Sequence, residues 1–294
     1  VKDNKTREFT YEEARQLVLE AVKPIGEGYV KDLTRLFDSR CIDKLPNDGK
    51  RSGAYQWGSF GVDPFVSLNF EGTEDSVSTL AHELGHAMHS YYSDSNQEHV
   101  YAQYPIFLAE IASTVNEVLL NEYMINNAKD DNEKLLYITT FLDKFRATVF
   151  RQTQFAEFEM IAHDMEEKGD PLTTDSLANV YLELNNYYYG DNVISDEQIK
   201  YEWSRIPHFY TPFYVYKYAT GLFSALAIVS DILAGKEGVK EAYLEFLKSG
   251  GSNYPLEILK KCGVDMTTSE PLNKGFRMFN DKLQRAKELI KKVK

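Results

Sequence analysis

Apolar residues recur at helical spacing through most of this chain. Thr10 and Glu13 form a capping-box pattern in front of EEARQLVLEAV, which predicts an N-terminal helix. A second helical segment covers residues 28–37. Residues 41–64 are rich in Gly, Pro, Asp, Asn and Ser and predict loops. PFVSLNF, residues 64–70, is short, β-leaning and bounded by turn residues, and is the best strand candidate, read as an edge strand. Glu71–Asp75 then supplies acidic residues to the first turn of a helix over residues 77–92. Pro105, a favoured first-turn residue, opens a helix running to Asn126. Asp131 is placed to cap a very long helical pattern reaching Lys168. Further helices are predicted over residues 173–189, 211–233, 236–248 and 255–261. From Leu272 a charged amphipathic helix closes the chain, with Lys291, Lys292 and Lys294 at its favourable end. No fixed-period repeat, low-complexity run or linker divides the pattern. The expectation is one mainly α domain over residues 1–294 with a small β element.

Composition narrows the class. The chain has 294 residues, 43% hydrophobic and 27% charged, which suits a soluble globular protein and excludes disordered, collagen-like and disulfide-scaffold classes. The net charge of −12 argues against nucleic-acid and anionic-membrane partners. The most apolar stretch, Gly221–Val229, falls short of the ~20 residues of a membrane span. Cys41 and Cys262 are far apart and in no metal-type spacing; a reduced, cytoplasmic setting is the simpler reading, with one disulfide as the alternative. The N-terminal VKDNKTREFT is polar and shows no secretory pattern. A start without methionine, entering a helical pattern almost at once, reads as a piece of a longer protein. Nothing in the sequence indicates an oligomeric state.

His82-Glu83-Leu84-Gly85-His86 carries the chemistry. Two histidines four apart on a helix lie on one face about one turn, ~5.4 Å, apart, so both rings reach one metal ion. Zinc suits neutral imidazole and tetrahedral geometry. The glutamate after the first histidine is angled toward the open position, where it can take a proton from water. Gly85 permits close approach of another element.

A third ligand is needed. His89 lies seven residues beyond His82, a rise of about 10.5 Å, too far to share its metal, and reads as a packing or supporting residue. In FLAEIASTVNE, Glu110 and Glu117 are seven apart on an apolar helix face, where a carboxylate needs a partner. For either, that partner is a metal ion or a buried Arg or Lys.

TLAHELGHAMHS, with FLAEIASTVNE about two dozen residues on, resembles the thimet oligopeptidase superfamily, and most closely oligoendopeptidase F. GAYQWGSFGVDPFVSLNF, RQTQFAEFE, WSRIPHFYTPFYVYKYATG and GGSNYPLEILKKCGVDM extend the likeness over essentially the whole chain, matching the catalytic C-terminal portion of that family. The resemblance implies a multi-helical, zincin-like catalytic domain with a small β-sheet beside the active-site helix. It implies one Zn2+ held by His82, His86 and Glu110, with Glu83 as general base and Glu117 in a supporting role. It also singles out His208 and Tyr216, with Tyr210, as contacts to substrate or transition state.

His208 stands among Tyr210, Tyr214, Tyr216 and Tyr218, a concentration of N–H and O–H donors of the kind that stabilises a developing oxyanion; a packed aromatic helix face is the bland alternative. PFVSLNF would offer an edge to an extended peptide. The expected activity is zinc-dependent hydrolysis of internal bonds in short peptide substrates. Two alternatives stand beside it: a zinc- and peptide-binding fragment without turnover, and a carboxypeptidase-like zinc exopeptidase.

Overall fold

The structure, a computed structural model, describes residues 7–293. Most of VKDNKTREFT and the terminal Lys294 therefore lie outside the described residues.

The first elements follow the predicted pattern. Helix α1 (Tyr11–Ala21) opens with Thr10 and Glu13 in a reciprocal capping box, and α2 (Glu27–Asp38) follows a short 3-10 turn at Lys23–Ile25. The loop-rich region holds two strands that composition concealed: β1 (Ile42–Asp43) and β2 (Tyr55–Trp57). The expected strand is β3 (Phe65–Ser67), but it is the centre of the sheet and not its edge. It pairs parallel with β1 and antiparallel with β2. Val66 and Leu68 donate to the carbonyls of Cys41 and Asp43, both 2.8 Å, so β3 has no free edge for a peptide. Strands of two and three residues lie below the length at which alternation can be read.

Helix α3 (Glu74–Asn96) carries the HExxH run and begins three residues earlier than the pattern predicts, because Thr73 caps it by accepting from the Ser76 amide. The short α4 (His99–Ala102) precedes α5 (Ile106–Asn126), for which Pro105 is the capping residue just outside the helix. The long helix over residues 131–168 is α6 (Asp131–Phe145) and α7 (Arg151–Lys168), joined by a π turn at Arg146–Phe150. Its cap is Asp130, not Asp131: the Asp130 carboxyl accepts from the amides of Asn132 and Glu133.

Helix α8 (Thr174–Tyr189) falls where a helix was expected and is capped by Thr173, and 3-10 turns at Glu197–Arg205 and Pro207–Tyr210 lead on to α9 (Tyr216–Leu233). Residues 211–215 stay out of α9: Pro212 disfavours helix for Thr211, and Phe213 holds a positive φ of 54°. Helices α10 (Val239–Lys248), α11 (Pro255–Lys261) and α12 (Glu270–Lys292) complete the described chain; α10 starts three residues late because Gly238 is left-handed. The fold is mainly α with a three-stranded sheet, as expected.

The chain divides into two compact units, one of residues up to Phe141 and from Phe223 on, the other Leu142–Leu222. Leu142 lies inside α6 and Leu222 inside α9, so no change of composition marks either crossing. In the first unit the core gathers Leu80, Leu84, Met88, Ile111, Val115, Leu226, Tyr243 and Phe246. In the second, Phe155 and Phe158 of α7 pack with Tyr181, Leu184, Ile206 and Val215. Both cysteines are free. Among the described residues no helix is long and apolar enough to cross a membrane.

Candidate metal centre and active site

The centre is built where α3 crosses α5. At Gly85 the helices approach so closely that a Cβ would stand 2.5 Å from the Ser113 Cα and 2.7 Å from the Ala112 carbonyl oxygen. Buried Asn116 reinforces the crossing, donating to the Ala81 carbonyl at 3.3 Å and accepting from Tyr29 of α2 at 2.9 Å. This contact brings Glu110, one turn before Ser113, beside the histidines.

His82 and His86 face each other with their Nε2 atoms 3.1 Å apart. Glu110 Oε2 lies 3.6 Å from His82 Nε2 and 3.9 Å from His86 Nε2. Among the described residues these three form the cluster able to hold a metal, all donor atoms lying within 4.8 Å of one another. A tetrahedral ion with bonds of ~2.0–2.1 Å separates its donors by roughly 3.3–3.4 Å, so the spacing suits zinc.

Hydrogen bonding decides which lone pairs are presented. Glu117 Oε2 lies 3.3 Å from His82 Nδ1, and Ser78 donates to Glu117 Oε1 at 3.3 Å. His86 gives its other N–H to the Ala109 carbonyl. Both rings are thus turned to offer Nε2, and two lone pairs at 3.1 Å call for a positive charge between them. Burial opposes charge on His82, but Glu117, Glu110 and Glu83 outweigh it and lift its pKa. Burial, with the charge of His82, pushes His86 down to about 3, keeping it a neutral donor.

Glu83 is 6% exposed. Burial raises its pKa to about 7; His82 opposes the rise, while Glu110 and Glu117 add to it. Its carboxyl also accepts from the backbone N–H of Gln56. This contact comes from β2, in a region whose composition predicts a loop; AYQW, residues 54–57, alternates in the strand manner but is too short to stand out. Phe65 and Ser67 of β3 face β2, so by antiparallel alternation the peptide groups of Gln56 point to the open edge, beside Glu83. Ser90 of α3 donates to the Gln56 side chain at 3.3 Å and shares a 2.9 Å hydrogen bond with Tyr104.

His89 is fully buried, stacked on Tyr104 at 3.6 Å and 5.2 Å from Phe246. Neither ring nitrogen has a hydrogen-bond partner among the described residues. It packs, and stands apart from the metal cluster.

The remaining predicted residues belong to the second unit. His208 sits on the last 3-10 turn, its Nε2 3.1 Å from Tyr218 OH and its ring 5.7 Å from that of Tyr214. Tyr210 is 88% exposed, and Tyr216, the first residue of α9, is 40% exposed. Phe209 and Val215 instead pack into the unit's core.

Known proteins resemble this chain over nearly its whole length. It is 46% identical to oligopeptidase PepF of Bacillus subtilis over 285 residues, covering 97% of this chain and 42% of that protein. To the group B oligopeptidase PepB of Streptococcus agalactiae it is 45% identical, covering 97% and 47%. The crystal structure of oligoendopeptidase-F from Enterococcus faecium superposes with a TM-score of 0.74 at 39% identity, covering 96% and 44%. The chain thus spans about half the length of the relatives it matches. The profile of peptidase family M3 matches residues 1–278, a span that takes in the crossing of α3 and α5 as well as the tyrosine-rich segment, and on that match the chain belongs to peptidase family M3.

Proposed function

We propose that this chain is the catalytic portion, over residues 1–294, of a zinc metalloendopeptidase that cuts internal bonds of short oligopeptides. One observation carries the reading: two imidazoles that present Nε2 and the Glu110 carboxylate converge beside a carboxyl group whose pKa is about 7. His82, His86 and Glu110 hold one Zn2+, and Glu117 keeps the His82 ring turned toward it. When bound, zinc supplies Lewis acidity toward a peptide carbonyl and toward water. Glu83 takes the proton that the attacking water loses and returns it to the leaving amine. Its pKa near neutrality suits both halves of that task, and the Gln56 N–H holds it in place. The open edge of β2, with the outward carbonyl of Gln56, takes the extended backbone of the peptide. His208 and Tyr216, with Tyr210, donate to the oxyanion; family resemblance and their exposure support this. The free cysteines support a cytoplasmic setting.

The test is cleavage of an internally quenched peptide of about nine residues, with and without a chelator. Cleavage at an internal bond, abolished by chelation, is expected. Glu83→Gln should lower kcat by about 10²–10⁴-fold while zinc content stays at one per chain. Tyr216→Phe should cost about 10²-fold in kcat. Because the chain spans under half of its relatives' length, a zinc- and peptide-binding fragment without turnover is the second reading. Full zinc loading with no cleavage would select it.

A further inference from the structure

Residues 208–216 combine exposed polar groups with two core anchors. His208, Tyr210 and Tyr216 are exposed. Phe209 packs on Phe155 and Phe158 at 5.7 and 5.3 Å between ring centroids, and Val215 is 1% exposed. Between these anchors the backbone does something no other non-glycine residue does among the described residues: Phe213 has φ 54°. For a bulky side chain this left-handed conformation is unfavourable, and it persists only where the surroundings over-determine it.

The determining contact is Glu159. This α7 residue is 5% exposed, and its Oε1 accepts the Phe213 N–H at 2.7 Å. A buried carboxyl group in a helix that otherwise presents Gln154, Phe155 and Phe158 to the core is costly unless it is bonded. Here its bond goes to the one strained peptide. Phe213 also lies against the ring of His163, one turn further along α7, at 4.7 Å between centroids.

We propose that Glu159 is a positioning residue: by holding the Phe213 N–H it locks the turn that sets where His208, Tyr210 and Tyr216 point. The inference rests on the proposed role of those three residues in catalysis, but its geometric part stands on Glu159 and Phe213 alone. A loop pinned only at Phe209 and Val215 would leave Phe213 free to relax to negative φ; Tyr210, between the anchors, would move with it, and His208 and Tyr216, each one residue outside an anchor, would turn with the chain that carries them. Donors displaced by about 1 Å cost up to ~10² in rate.

The experiment compares Glu159→Leu, which removes the acceptor, with Glu159→Gln, which keeps one, and with the double variant Glu159→Leu/Phe213→Asn, in which asparagine favours the left-handed region by itself. The first readout is the His208 ring resonance in a proton–carbon NMR spectrum, assigned with a His208→Gln sample. Glu159→Leu should shift and broaden it as the hydrogen bond to Tyr218 is lost; Glu159→Gln and the double variant should restore it. The second readout is kcat and KM for the quenched peptide. Glu159→Leu should lower kcat about tenfold or more with zinc content intact, and the same two variants should recover most of the loss. An unmoved resonance in folded Glu159→Leu, or a double variant that restores neither signal, overturns the proposal. If the unsubstituted chain cleaves nothing, the catalytic reading fails, while the His208 resonance still decides whether Glu159 positions the turn.

Discussion

Glu117 shows how one side chain can decide the chemistry of another. Its bond to His82 Nδ1 fixes which nitrogen of that ring is left as a lone pair. Replacing it with alanine frees the ring to rotate and to change tautomer, so Glu117→Ala should weaken zinc binding by about 10–100-fold, read by competition with a chromophoric chelator. Unchanged affinity would remove the orienting role. Spacing placed Glu110 and Glu117 on one helix face and left open which of them met a metal, and only the family resemblance pointed to Glu110; residues seven apart share a face but reach different points along the partner helix. The crossing point at Gly85 settles the geometry, setting Glu110 beside both Nε2 atoms and Glu117 behind His82. His89, also on α3, falls beyond the crossing and into the aromatic core.

At the scale of elements, the fit of α3 against α5 is the controlling feature. Gly85→Ala places a methyl group 2.5 Å from backbone that cannot give way as a side chain would. The helices must separate, and Glu110 must leave its place beside the histidines. The expected outcome is a loss of ~1–3 kcal/mol in urea unfolding together with weaker zinc binding. A variant with weakened folding but unaltered zinc affinity would show that the two are separable. Helices were readable because their apolar positions recur over several turns, and a cap such as Thr10 marks a start. The sheet was not, since β1 and β2 are held by pairing with β3 over two or three residues and not by any pattern of their own. The strand read as an edge proved to be the centre, and the edge beside Glu83 belongs to β2.

At the scale of the whole molecule, each unit has its own dependence on solution conditions. The proposed zinc ligands His82, His86 and Glu110 all belong to the first unit, so saturating zinc should stabilise it by about 4 kcal/mol at a thousandfold excess over Kd. Hydrogen exchange of α3 and α5 amides should slow accordingly, and no slowing would deny the site its coupling to folding. In the second unit Glu202 is 8% exposed and accepts from Tyr181 and Arg151, each at 2.6 Å, and from Arg205. Burial works to raise its pKa, but these partners hold it below the ordinary 4.5. A lowered folded-state pKa means that the stabilisation is complete above the ordinary value of 4.5 and is lost progressively as pH falls from there through the folded-state pKa. Urea midpoints followed by the fluorescence of Trp203, which lies in this unit, should therefore drop between pH 6 and pH 3.5, and Glu202→Gln should flatten the drop. An equal pH dependence in both proteins would assign the acid sensitivity elsewhere.

By itself the sequence determined the helical class, the two histidines on one helical face, the glutamate between them and the family to which they point. These features are local, written in periods of three to four residues that survive without any partner. Tertiary structure decided which carboxylate meets the histidines, which strand is left open beside Glu83, where the chain divides, and what holds Phe213 in its strained turn. Each depends on two segments distant in sequence meeting at one point in space, and no local pattern encodes where that point lies.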